Sequence, residues 1–169
     1  LEALADKGIS FTILAPKQAV EVAPVETEDW QKVDEHTLDT TQPYRVELPS
    51  GQEISIFFYH GGLAHAVAFA GALDNGEHFA QQIRQVSKEA PDDALIHFAT
   101  DGESYGHHHR YGDMALAYCL RTLEGFEELE LCNYATYLRK HPPVMKVRLQ
   151  EVSAWSCAHG VGRWSENCG

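Results

Sequence analysis

The apolar and polar positions of this chain change period several times, and each change marks an element. Leu1 and Leu4 share a helical face, Lys7 stands in the last turn and Gly8 fits the left-handed stop, so residues 1–8 read as the end of a helix. Ile9 to Leu14 reads as a buried strand closed by Ala15-Pro16. Lys17 to Thr41 is acidic and weakly periodic, a long excursion with a short helix expected around Trp30 to Glu35. Tyr44 to Leu48 and Ile54 to Ile56 alternate apolar and polar residues about Pro49-Ser50-Gly51, the pattern of a β-hairpin. Phe57-Phe58-Tyr59 carries its second strand inward.

His60-Gly61-Gly62 breaks that strand. Leu63 to Leu73, rich in alanine and apolar on most sides, predicts a buried helix. Glu77 to Lys88 predicts an amphipathic one, with Phe79, Ile83 and Val86 at helical spacing. Pro91-Asp92-Asp93 is a turn, and Ala94 to Ala99 reads as a short apolar strand. A polar, glycine-punctuated loop follows from Thr100 to His109. Asp113 is placed to cap a helix from Met114 to Glu124, whose Met-Ala-Leu-Ala-Tyr-Cys-Leu run predicts burial. Leu129 to Asn133 suggests a strand, Ala135 to Lys140 a short helix and Val144 to Leu149 a further strand. This alternation favours an α/β barrel or layered α/β sheet, with the hairpin region 17–62 as an insertion into a single domain spanning 1–169.

Composition narrows the partners. The chain has 169 residues and a net charge of −12, with 44% hydrophobic and 22% charged residues. That is globular composition. So acidic a chain lacks the basic footprint that nucleic acid or an anionic membrane requires. No apolar run approaches the ~20 residues that span a bilayer, and no stretch has the layout of an export signal. The four cysteines are too sparse for a disulfide scaffold, so reduced thiols in a cytoplasmic protein are expected. Because the chain opens on the last two turns of a helix, it is expected to be a segment of a longer protein.

Asp101 and Glu103 carry the sharpest chemical signal. They follow the apolar run 94–99, and the rim after a buried strand is where α/β barrels place reacting groups. A carboxyl group rigidly mounted and partly desolvated there can hold and release a proton; an acid after a strand is also often only a cap or a turn former. Gly102 and Gly106 permit unusual backbone angles or a close ligand. His107-His108-His109 invites a metal, but three consecutive side chains do not readily converge on one ion. Hydrogen bonding to a polar substrate suits them better, although a metal-dependent deacetylase using Asp101 with these histidines is the rival reading. Cys157, His159 and Cys168 could be three zinc ligands or simply structural thiols and a hydrogen-bonded histidine. Trp30, Trp155, Trp164, Tyr59, Tyr105 and Tyr111 are candidate sugar platforms, with core packing the ordinary alternative for each. Trp155 and Trp164, set among Ser, Gly, His and Arg, suit a groove, and a non-catalytic glucan-binding role resting on them is the third reading.

Ala99-Thr100-Asp101-Gly102-Glu103-Ser104-Tyr105-Gly106-His107-His108 resembles the Asp-x-Glu-x-(Phe/Tyr)-Gly segment of glycoside hydrolase family 57. Gly8 to Pro16 is similar to the strand after that family's nucleophile segment, and Phe58-Tyr59-His60-Gly61-Gly62-Leu63 to a substrate-side loop. Trp155 to Trp164 is similar to a segment of the family's large bacterial branch. The resemblance implies part of an incomplete (β/α)7 barrel acting on α-glucans by a retaining mechanism. It assigns Asp101 as general acid/base. Glu103, Tyr105, His107, His108, Tyr59, His60, Trp155, His159 and Trp164 would contact substrate. The partner is an oligo- or polysaccharide, with no metal and no cofactor. A retaining reaction also needs a nucleophilic carboxylate roughly 5–5.5 Å from the first. No position of this chain matches the family's nucleophile, so the segment alone is expected to be inactive.

Overall fold

In the computed structural model, which describes residues 1–157 and 159–167, strands form at the expected runs 9–14, 44–48, 54–58 and 144–149, and also within the stretch 17–41 read as an excursion. They are β1 (Phe11–Leu14), β2 (Ala19–Pro24), β3 (Gln31–Lys32), β4 (Tyr44–Glu47), β5 (Glu53–Phe58) and β6 (Met145–Leu149), in the sheet order β1-β5-β4-β6-β2-β3. β4 and β5 pair antiparallel, with Tyr44 opposite Ile56 and Glu47 opposite Glu53. Their turn closes through Gly51, at φ +81°, whose amide donates to the Leu48 carbonyl at 2.9 Å. β1 runs parallel to β5, and β6 runs parallel to β4 but antiparallel to β2. The sheet is therefore mixed.

Alternation sets its faces. Ile54, Ile56 and Phe58 enter one core with Tyr44, Val22 and Val147. Phe57, between them in sequence, is also fully buried and meets Phe11 edge to face at 5.7 Å. Tyr44 is tolerated in this core because its hydroxyl donates to the Asp39 carbonyl at 2.7 Å. Burial raises its pKa, and the charge of Asp39 raises it further. The sheet belongs to a compact unit made of Leu1–Tyr59 and the residues from Lys140 onward, which also holds α1 (Glu2–Ala5) and α6 (Gly162–Ser165).

His60–Arg139 form a second unit built from helices. These are α2 (Gly61–Phe69), α3 (Gly76–Glu89), α4 (Gly112–Leu123) and α5 (Tyr134–Lys140). Val67, Leu73, Phe79, Ala80, Cys119 and Leu123 make its core. Burial of Cys119 pushes its thiol up to about 11. α3 and α4 approach so closely that a Cβ at Gly76 would lie 2.4 Å from the Ala115 carbonyl oxygen. Among the described residues no helix is long and apolar enough to cross a membrane.

Several local expectations are corrected. Residues 30–35 form no helix: Gln31 and Lys32 join β2 as β3, and the Asp34 carboxylate instead caps the amides of His36 and Thr37. β1 is half-buried rather than buried. α2 ends at Phe69, which is 80% exposed, so the alanine-rich run buries only one face. α4 starts at Gly112 after Tyr111, and Asp113 lies in its first turn, where its charge suits the helix dipole without being the cap. Met114 and Tyr118 are exposed while Cys119 and Leu123 are buried, so that apolar run also covers more than the buried face. Residues 94–99 and 129–133 join no strand. A strand is a property of a paired neighbour, and apolar character alone does not supply one.

Candidate functional site

The loop carrying Asp101 winds through one turn of 3-10 helix, Gly102–Ser104. The Ser104 amide donates to the Asp101 carbonyl at 3.0 Å, and the amides of His107 and His108 both donate to the Glu103 carbonyl, at 3.2 and 2.9 Å. Ser104 is buried, whereas Asp101 and Glu103 are both exposed. Gly106, at φ +133°, lets the chain reverse between Tyr105 and the histidines, whereas Gly102 needs no such freedom. Tyr105 is half-buried, and its hydroxyl shares a hydrogen bond of 2.8 Å with Thr100 Oγ1. His109 Nε2 meets the Ala68 carbonyl at 3.2 Å and docks the loop on the end of α2.

The two carboxylates of the loop have different surroundings. Asp101 precedes the 3-10 turn in an extended conformation, and its side chain accepts no capping hydrogen bond. Glu103 Oε2 stands 3.6 Å from His108 Nε2, and the His107 and His108 rings lie 5.0 Å apart. Asp101, Glu103, Tyr105, His107 and His108 are thus gathered in one loop, with one acid open and the other facing a histidine. Among the described residues no three His, Cys, Asp or Glu side chains form a set able to hold a metal ion.

His60 belongs to the same unit. Its Nδ1 accepts the Leu63 amide at 3.1 Å, capping α2. That bond puts the proton of the neutral ring on Nε2, which becomes a donor. Gly62 leaves the ring its space, since a Cβ there would lie 3.1 Å from His60 Cε1. The His60 amide donates to the His97 carbonyl at 2.8 Å.

Tyr59, Trp155, His159 and Trp164 belong to the sheet unit. Tyr59 is half-buried, and burial followed by the charge of Glu35 raises its phenol pKa. Trp155 and Trp164 are 57% and 66% exposed, and His159 is exposed. Cys157 Sγ lies 3.9 Å from His159 Nδ1; Cys168, the third suggested zinc ligand, lies outside the described residues. Trp30 is not an open platform. The Arg148 guanidinium sits 3.9 Å from its ring centroid and the Lys146 ammonium 5.2 Å, while its Nε1 donates to Glu28 at 2.8 Å. Lys146 also donates to Glu28, and these two bonds, that of Lys146 first, hold the Glu28 carboxyl below its ordinary range.

Sequence reading missed contacts made to the segment before the loop. His97 Nδ1 meets the Tyr134 hydroxyl at 3.0 Å, and the Tyr137 hydroxyl donates to the Asp93 carbonyl at 2.7 Å. Burial pushes the Tyr134 phenol up to about 12, so it stays protonated. The available signal was two tyrosines three residues apart behind Asn133, which fits a capped helix showing both on one face.

The family model of glycosyl hydrolase family 57 matches residues 1–150. Among solved structures the chain is similar to the crystal structure of 4-alpha-glucanotransferase from Thermococcus litoralis, with a TM-score of 0.62 and 16% identity over 90% of this chain. At that identity the likeness speaks for the mixed α/β fold alone. The match spans 22% of that chain. No curated protein matches the sequence.

Proposed function

The chain belongs to glycosyl hydrolase family 57, and on that premise we propose that it supplies the acid/base side of a retaining α-glucan hydrolase or glucanotransferase. Asp101 protonates the glycosidic oxygen as its bond to the anomeric carbon breaks and a nucleophilic carboxylate bonds that carbon. In the second half Asp101, now ionised, takes the proton of water or of an acceptor sugar hydroxyl as that oxygen displaces the nucleophile. The nucleophile comes from elsewhere in a longer protein, in keeping with a match that spans 22% of the glucanotransferase chain.

The observation that carries this reading is the unequal pair in one turn. The side chain of Asp101 accepts no hydrogen bond from the helix it opens, so its carboxyl can meet a bridging oxygen. Glu103 and His108 face each other and suit sugar hydroxyls instead, with Tyr105, His107 and the Nε2–H of His60 as further polar contacts. Tyr59, Trp155, His159 and Trp164 are proposed to bind sugar from the sheet unit, the tryptophans through ring faces on pyranoses.

The test is α-1,4-glucan turnover by the full-length protein. Asp101→Asn is expected to lower it by about 10²- to 10⁴-fold, the usual worth of a positioned acid/base group. Turnover equal to wild type removes Asp101 from the reaction.

A further inference from the structure

Residues 94–100 carry Asp101, yet they belong to no helix and no strand. No ladder holds them, so a few specific bonds must fix where the following acid stands. Two of those bonds come from one short helix. Asn133 Oδ1 accepts the Thr136 amide at 2.9 Å and sets the start of α5. Tyr134 and Tyr137, three residues apart on that helix, then share a face. Tyr137 donates to the carbonyl of Asp93 at 2.7 Å, a left-handed residue at φ +65° that ends the turn before the segment. Tyr134 bonds His97 Nδ1 at 3.0 Å and stacks on the same ring edge to face at 5.3 Å. His97 is 7% exposed, and its carbonyl accepts the amide of His60. Phe98, next in sequence, packs 5.5 Å from Phe79 of α3.

We propose that Tyr134 and Tyr137 are positioning residues: hydrogen bonds to His97 and to the Asp93 carbonyl hold the segment that mounts Asp101, and so set the angle at which its carboxyl reaches the glycosidic oxygen. The inference rests on the acid/base reading of Asp101. The two bonds pin the chain at positions 93 and 97, eight and four residues before the acid. A side chain that must deliver a proton along a defined direction loses rate with small displacements, so loosening either pin is felt at Asp101 first.

The experiment uses the full-length protein and two substrates, an α-1,4-glucan and α-glucosyl fluoride. Fluoride leaves without protonation, so its kcat/KM, which reports the first bond-breaking step, does not need the acid. Tyr134→Phe keeps the ring against His97, and Tyr137→Phe keeps the ring on α5; each removes one hydroxyl. Each is expected to lower kcat/KM on the glucan about fivefold, the worth of one hydrogen bond, and to leave the fluoride value within about twofold. In the Asp101→Asn background neither is expected to lower the glucan value further, because the group they position is gone. Losses that multiply with Asp101→Asn, parallel losses on both substrates, or no loss on either overturn the positioning role. Glucan turnover left intact by Asp101→Asn alone overturns the acid/base reading instead, which keeps the two failures apart.

Discussion

Glu103 and His108, five positions apart, face each other across 3.6 Å because both histidine amides at 107 and 108 are drawn to the Glu103 carbonyl. Asp101, the N-cap of the same turn, accepts no capping bond with its side chain. On this difference we propose a division of labour: Glu103 for substrate contact, Asp101 for proton transfer. Glu103→Gln is expected to raise KM for α-glucan about fivefold while kcat stays within about twofold, as for lost ground-state contacts. Steady-state kinetics of the full-length protein checks it; a kcat loss as large as that of Asp101→Asn contradicts the assignment.

His60 caps α2 and is proposed to offer its Nε2–H to sugar, and substitution can divide the two. Its Nδ1 caps α2 through the Leu63 amide. His60→Ala is expected to cost about 0.5–2 kcal/mol of stability, as for other lost caps. Asn is a strong cap, so His60→Asn should hold most of that stability in denaturant unfolding. The Nε2 donor is lost in both variants, and KM for glucan should rise in both.

Gly76 is a packing glycine. A Cβ there would meet the Ala115 carbonyl oxygen at 2.4 Å, so Gly76→Ala must push α3 and α4 apart. The expected destabilisation is about 1–3 kcal/mol, as for overpacked cores. Gly102 has nothing within 4 Å of the same position, and Gly102→Ala should change stability by less than about 0.5 kcal/mol. Paired denaturation curves compare the two.

The Glu28 cluster makes an acid-side prediction. Bonds from Lys146 and then Trp30 lower its carboxyl pKa in the folded chain from 4.5. The unfolded state therefore binds this proton more readily, and the stabilisation is fully present above the unfolded value. It is lost as pH falls below 4.5 through the lowered folded value. The stability difference between wild type and Glu28→Gln should stand at neutral pH and shrink in that acid window. A gap independent of pH contradicts the linkage.

What the sequence disclosed depended on whether the information was local. Phe79, Ile83 and Val86 sit at helical spacing, and α3 forms over Gly76–Glu89 around them. The alternation about Pro49-Ser50-Gly51 becomes the β4–β5 hairpin. The loop of Asp101 was legible from its polar, glycine-punctuated run, which forms a 3-10 turn and a positive-φ Gly106. β3 was not, since its two residues are strand only by pairing with β2. The strand expected at 94–99 failed for the converse reason: apolar character was present without a ladder. The tyrosines behind the site act across 37 and 44 residues, a separation no local pattern encodes.

The most direct measurement removes Asp101 and bypasses the base function proposed for it. In the full-length Asp101→Ala protein, α-glucosyl fluoride needs no acid to load the enzyme, but the covalent intermediate should then wait for a nucleophile that needs no base. Added azide is predicted to accelerate turnover and to yield α-glucosyl azide, with the configuration retained. Turnover indifferent to azide, with glucose released at the wild-type rate, would contradict a proton-transferring role for Asp101.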